Sequence, residues 1–382
     1  MKVTAKKLKD ARFDNFHTEV DGRWDYSDLV GGEHPDWFND WISFDCLLAD
    51  DKRGTIWCGL TSLAGDIFHA YDRQTEQFRG MGFQKLGDPY DAKFHRSLVF
   101  DAEGTIWAAT ALLHDVDRYF DAPGGALVRF DPASEGLEIV TRPMPHMYIQ
   151  SIAMDTARGI IYGITFTPER LFSYEVAGGK VTDLGPLGSG LGMAQGENFV
   201  VDSSGACWGT WGLTRAWLSR PGPDAIRLWR YHPDRGRIEF FKHGLPRLDG
   251  SRGTAKLDGA CLGSDGAIYM GTAEGLLCRV DPDTARVEPL GKPCSARRLA
   301  AMATGPDGKL YGTAGSHGMV MLFRHDASRN ELETLGRIVD PEIGECAWHI
   351  HDLAITEDGT LYAGENDVPY RSGYLWKITG VF

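Results

Sequence analysis

Seven times along this 382-residue chain a turn glycine is followed by a hydrophobic–aromatic pair. The copies are Gly54-Thr-Ile-Trp57, Gly104-Thr-Ile-Trp107, Gly159-Ile-Ile-Tyr162, Gly205-Ala-Cys-Trp208, Gly266-Ala-Ile-Tyr269, Gly308-Lys-Leu-Tyr311 and Gly359-Thr-Leu-Tyr362, at intervals of 42 to 61 residues. A unit of that length cannot bury its apolar face alone and must stack on copies of itself.

Each copy reads as four short strands. An apolar run such as Ser97–Phe100 comes first, then a turn (Asp101-Ala-Glu-Gly104), then the Ile-Trp run. A third run follows, as in Ala126–Asp131, Arg227–Tyr231, Leu276–Asp281 and Tyr374–Ile378, and a short alternating segment such as Glu331–Leu335 ends the unit. Glycine is about one residue in eight, 47 of 382, as tight turns between many strands require. No amphipathic helical period interrupts the pattern, so the fold expected is all-β, a seven-bladed β-propeller of four-stranded antiparallel blades. The seventh unit shows only three strands. An N-terminal strand, Lys2–Ala5 or Phe16–Val20, is expected to supply the fourth and close the ring, which makes 1–382 one domain.

The turns between first and second strands, and between third and fourth, are short. The other connections are long in several units, including Ala111–Gly125, Trp211–Ile226, Gly312–Gly318 and Glu365–Gly373. In a four-stranded meander these long connections share one face, and binding residues gather on such loops.

On that face, at the mouth of the central channel, the innermost strands begin. Eight to ten residues before each turn glycine stand Asp45, His95, Gln150, Glu197, Asp258, Arg298, and then His349 with His351. Each unit thus offers a polar or ionisable head. Histidine exchanges protons near neutrality, and neighbouring charges tune it. His349 and His351 alternate on a strand and face one side. With His317 or Glu345 they are a candidate site for one divalent cation; without a metal they are a base and its partner. His317, Trp211, Arg215, Tyr370 and Arg371 lie in the long loops, and Tyr148 precedes the third inner strand. Arg96 follows His95 and points away from it in a regular strand. Arg298 is suited to grip a carboxylate.

The net charge of −13 argues against nucleic acid or an anionic membrane as partner. A small-molecule or oligosaccharide substrate is expected instead. The basic N-terminus lacks an apolar core and reads as no secretory signal, so a cytoplasmic location is expected, with a processed secreted form as the alternative. The seven scattered cysteines read as buried free thiols.

The D-x-x-G-x-I-W/Y turn, with strands ending Arg129-Phe-Asp-Pro132 and Arg279-Val-Asp-Pro282, resembles virginiamycin B lyases and, more distantly, gluconolactonase-type propellers. Lys93–Trp107 is similar to segments of propeller polysaccharide lyases and related rhamnose–glucuronate-cleaving enzymes. His349-Ile-His351, leading into Thr-Glu-Asp-Gly, resembles the H-x-H of oligogalacturonate lyases; that resemblance implies a histidine-bound metal.

The leading expectation is a lyase that cleaves a uronate-containing oligo- or polysaccharide by β-elimination. His95 or His349 would be the base and Arg298 would hold the carboxylate. His351, His317 and Tyr148 complete the catalytic candidates, with Arg96, Trp211, Arg215, Tyr370, Arg371, Glu197 and Asp258 as substrate-binding candidates. The alternatives are a metal-dependent lactonase or lactone-opening enzyme, and a non-catalytic ligand-binding propeller.

Overall fold

A computed structural model describes residues 1–13, 35–111, 120–166, 168–187, 198–212, 226–250 and 255–382. The seven repeats form seven antiparallel blades. Their innermost strands are Ile42–Asp50, Val99–Phe100, Tyr148–Asp155, Val200–Val201, Leu257–Leu262, Met302–Thr304 and Ile350–Ile355. Blade 7 takes its outer strand from the N-terminus: Lys2–Lys6 pairs with Leu375–Thr379, Val3 opposite Ile378. The other segment considered for this role, 16–20, lies outside the described residues.

The repeat motif has a concrete cause. In three blades the indole N–H of the second-strand tryptophan donates to the turn aspartate: Trp57 to Asp50 at 3.2 Å, Trp107 to Asp101 at 2.9 Å and Trp208 to Asp202 at 2.7 Å. In two of the four blades where tyrosine replaces tryptophan, the acceptor lies next to the glycine: Tyr269 donates to Asp265 and Tyr311 to Asp307. The turn glycines sit at positive φ, from 64° to 84°, where a Cβ would be strained. Apolar side chains from neighbouring blades form the core between them, as where Val3, Leu322, Ile350 and Trp376 meet.

Two departures from the sequence expectation bear on the site. Blades 1 and 2 are fused: Lys93–Phe94 pairs with both Thr61 of blade 1 and Thr110–Ala111 of blade 2. And one short helix, Pro35–Asp40, precedes blade 1; Trp37 and Trp41 stack at 4.5 Å, and Trp41 donates to the carbonyl of Val368 in a blade 7 loop. Its six residues are too few to show a helical period. No helix among the described residues is long and apolar enough to cross a membrane.

Candidate functional site at the channel mouth

Four inner strands carry a break in register at the very residue that heads the repeat. The shifts fall between Phe44 and Cys46, Ile149 and Ser151, Leu257 and Gly259, and Ile350 and Asp352. Asp45, Gln150, Asp258 and His351 are therefore bulge residues. A bulge leaves its residue out of the ladder and re-aims the side chain. It also leaves a main-chain carbonyl without its ladder partner, and in three of the four a side chain of the preceding blade takes it up. His351 of blade 7 contacts the Asp45 carbonyl at 2.7 Å through Nδ1. His95 of blade 2 contacts the Gln150 carbonyl at 2.7 Å through Nδ1. Asn198 of blade 4 donates to the Asp258 carbonyl at 2.6 Å.

These contacts fix the tautomers. A carbonyl only accepts, so both imidazoles carry their proton on Nδ1, and Nε2 is the basic nitrogen of each. The two rings lie 4.6 Å apart at 59°, and both are nearly buried, at 4% and 3% exposure. Burial first, then the charge of Arg96, holds the His351 imidazole well below its ordinary pKa. Lys93 stands behind this pair on Asp45, Nζ to Oδ1 3.3 Å, and Asp45 also accepts from Thr61.

A second group lies toward the mouth. His317 and His349 meet at 4.8 Å. Trp348 packs edge-on against His317 at 4.8 Å and Tyr370 at 5.5 Å. Burial, then the charges of Arg298 and His317, lower the His349 pKa to about 2, so this imidazole is neutral at any working pH. Burial raises Tyr370, which keeps its phenolic proton. Arg298 influences both His349 and His351 and joins the two groups. Its Nε lies 3.7 Å from Asp258 Oδ2, and neither atom has a hydrogen-bond partner among the described residues, nor do His349 Nδ1 and Trp348 Nε1.

Several sequence candidates have partners within the protein. Arg371 is fully buried on Glu365, with contacts of 2.7 and 3.0 Å, and cannot meet a substrate. Trp211 donates to the Leu228 carbonyl within its own blade and packs on Phe240. Tyr148 packs on Phe166. Arg96 does not point away as a regular strand requires: at φ 42° it crosses the channel and donates to the carbonyls of Asp258 at 3.0 Å and Ala300 at 3.1 Å, in blades 5 and 6. Beneath it, Asn198 and Asp352 help to line a cavity of about 120 Å³. Arg215 and Glu197 lie outside the described residues.

The cation set envisaged from the sequence is divided. His351 turns to His95, while Glu345 is engaged by Arg371 at 3.3 Å and by Arg12. Among the described residues no three His, Cys, Asp or Glu side chains are grouped to hold a metal ion. These residues do not fit a histidine-bound metal. Trp348 and Asn198 are the site residues the sequence reading missed. Asn198 adjoins the head position 197, and Trp348 adjoins His349, so adjacency to the ring was the available signal.

The fold and the ring of heads define a seven-bladed β-propeller with a histidine-rich channel mouth. Its architecture is similar to that of virginiamycin B lyase from Staphylococcus aureus, at 16% identity over 89% of this chain and 95% of that one, TM-score 0.62. A catalytically inactive His-to-Ala variant of that enzyme, solved with quinupristin, matches at 14% over 89% and 96%, TM-score 0.62. The WD40 β-propeller domain of Doa1 matches at 11% over 89% and 93%, TM-score 0.57. No family model matches the sequence, and no curated protein matches it. Identities this low establish a shared propeller fold.

Proposed function

We propose that this protein is a carbon–oxygen lyase that takes a proton from the carbon next to a carboxyl group and expels the oxygen β to it. The observation that carries the reading is the His95–His351 pair: two adjoining imidazoles, each oriented by a main-chain carbonyl so that Nε2 is its basic nitrogen. Nε2 of His95 takes the α-proton, with His351 packed beside it, the freed electron pair forms the carbon–carbon double bond, and the carbon–oxygen bond breaks. Arg298 pairs with the carboxyl and makes the α-proton acidic. Tyr370, which retains its proton, is suited to protonate the leaving oxygen. The pairing of the rings speaks against a purely ligand-binding propeller, in which nothing requires oriented bases.

The first substrate class is a uronate-containing oligo- or polysaccharide, whose carboxylate suits Arg298. The second is a cyclic ester opened as a virginiamycin B lyase would. The propeller likeness favours it, as does the loss of catalysis in that enzyme on a His-to-Ala change. Elimination from a uronate gives an unsaturated product that absorbs in the near ultraviolet; ring opening of the ester is read by product mass. On whichever substrate turns over, His95→Ala and His351→Ala are each expected to lose about 10²-fold or more in kcat. Full turnover in both variants overturns the assignment.

A further inference from the structure

The Arg371–Glu365 pair has no exposed side-chain surface at all. Two buried charges cost desolvation, and apolar residues of like volume often serve packing equally well. What the pair supplies beyond packing is a set of fixed main-chain contacts. Glu365 accepts the Trp348 N–H at 2.7 Å and the Tyr374 N–H at 2.9 Å. Arg371 donates to the Ser372 carbonyl at 2.9 Å and to Glu345 Oε2 at 3.3 Å, and its guanidinium lies 3.8 Å over the Tyr374 ring. One side of the clamp thus holds residues 345–348, the segment that delivers His349; the other holds the blade 7 strand start at 372–374.

We infer that Arg371 and Glu365 are positioning residues of the channel-mouth site: they fix the backbone from which Trp348 and His349 project toward His317 and Arg298. The inference rests on reading that mouth as the functional centre, and its test needs no substrate. The clamp acts on His349 and Trp348; the His95–His351 pair is anchored independently, by the carbonyls of Gln150 and Asp45.

The experiment compares wild type with the Glu365→Leu/Arg371→Met double variant, which keeps apolar bulk without the clamp. Thermal unfolding checks the fold. Long-range ¹H–¹⁵N spectra of labelled histidine, and exchange of the Trp348 amide, read the site. The expected result is a folded protein in which the His349 and Trp348 indole signals shift or broaden, the Trp348 amide exchanges about tenfold faster or more, and the His95 and His351 signals stay in place. Unmoved His349 and Trp348 signals with an unchanged Trp348 amide overturn the inference. Equal disturbance of all four histidines at the mouth also overturns it, because the pair is then only a stability element. If the double variant does not fold, Glu365→Gln is read in the same way: each carboxylate oxygen accepts from Arg371 and from a main-chain N–H, an amide NH2 can replace neither, so the same selective disturbance is expected, and its absence overturns the proposal. Failure of the lyase reading appears separately, as full turnover in His95→Ala and His351→Ala.

Discussion

His351 and His95 belong to blades 7 and 2, yet their rings meet at 4.6 Å although blade 1 stands between those blades in the ring. The contact is possible because His351 sits in a bulge and His95 follows the strand that fuses blades 1 and 2. Each ring is pinned to the blade that follows its own, so the pair ties blade 7 to blade 1 and blade 2 to blade 3.

The neutral histidines make the fold acid-sensitive. His349 has a folded pKa of about 2 and an ordinary value near 6.5 once unfolded. The unfolded chain therefore binds the extra proton as pH falls below 6.5, and stability present above that pH is lost on the way down. Between pH 7 and 5 this one group accounts for about 2 kcal/mol of lost stability. In His349→Gln the urea-derived stability is expected to fall by about that much less over the same interval.

Arg298 is expected to govern affinity for the carboxyl group. Arg298→Met removes a charged partner worth about 1.5–3 kcal/mol, so KM for a uronate substrate should rise ~10- to 100-fold. The same change removes the positive charge that lowers His349. The His349 pKa should move upward, toward its ordinary value, in a ¹⁵N titration of labelled histidine.

The turn aspartates are expected to carry stability. Asp202 accepts from the Trp208 indole, from the amides of Ser204 and Ala206 and from the Ser204 hydroxyl. Asp202→Ala leaves the buried indole N–H unpaired and should cost about 1–3 kcal/mol in denaturant unfolding. Asp202→Asn keeps an acceptor and should cost less.

Closure by the N-terminus is testable by removal. Deleting residues 1–6 strips five paired positions from blade 7 and uncovers the cluster around Val3, worth about 2 kcal/mol for that side chain alone. The truncated protein should melt several degrees lower, and a synthetic peptide of residues 1–8 added in excess should raise its Tm again. No effect of the peptide would mean that the strand does not act as a detachable closure.

Much of this was legible in the chain. The glycine–aromatic repeat marks every blade because the turn is local, as is the aromatic–aspartate bond in five of them, and local geometry is written in adjacent residues. The heads were legible as polar residues at a fixed distance from each turn. What those heads do was less so. Trp211, Arg371 and Tyr370 look alike as sequence, but Trp211 belongs to the strand Cys207–Gly212, and the partners of Trp211 and Arg371, Leu228 and Glu365, decide their roles. Arg96 escaped the alternation rule because its backbone leaves the strand at positive φ. The division between the His95–His351 pair and the His317–His349 pair depends on which blades touch across the channel, and spacing along the chain does not encode that.

The Arg96 side chain, held on the carbonyls of Asp258 and Ala300, is a spoke that ties blade 2 to blades 5 and 6 across the channel. Blades that share no sheet edge are thus coupled directly at the axis, without passing around the circumference.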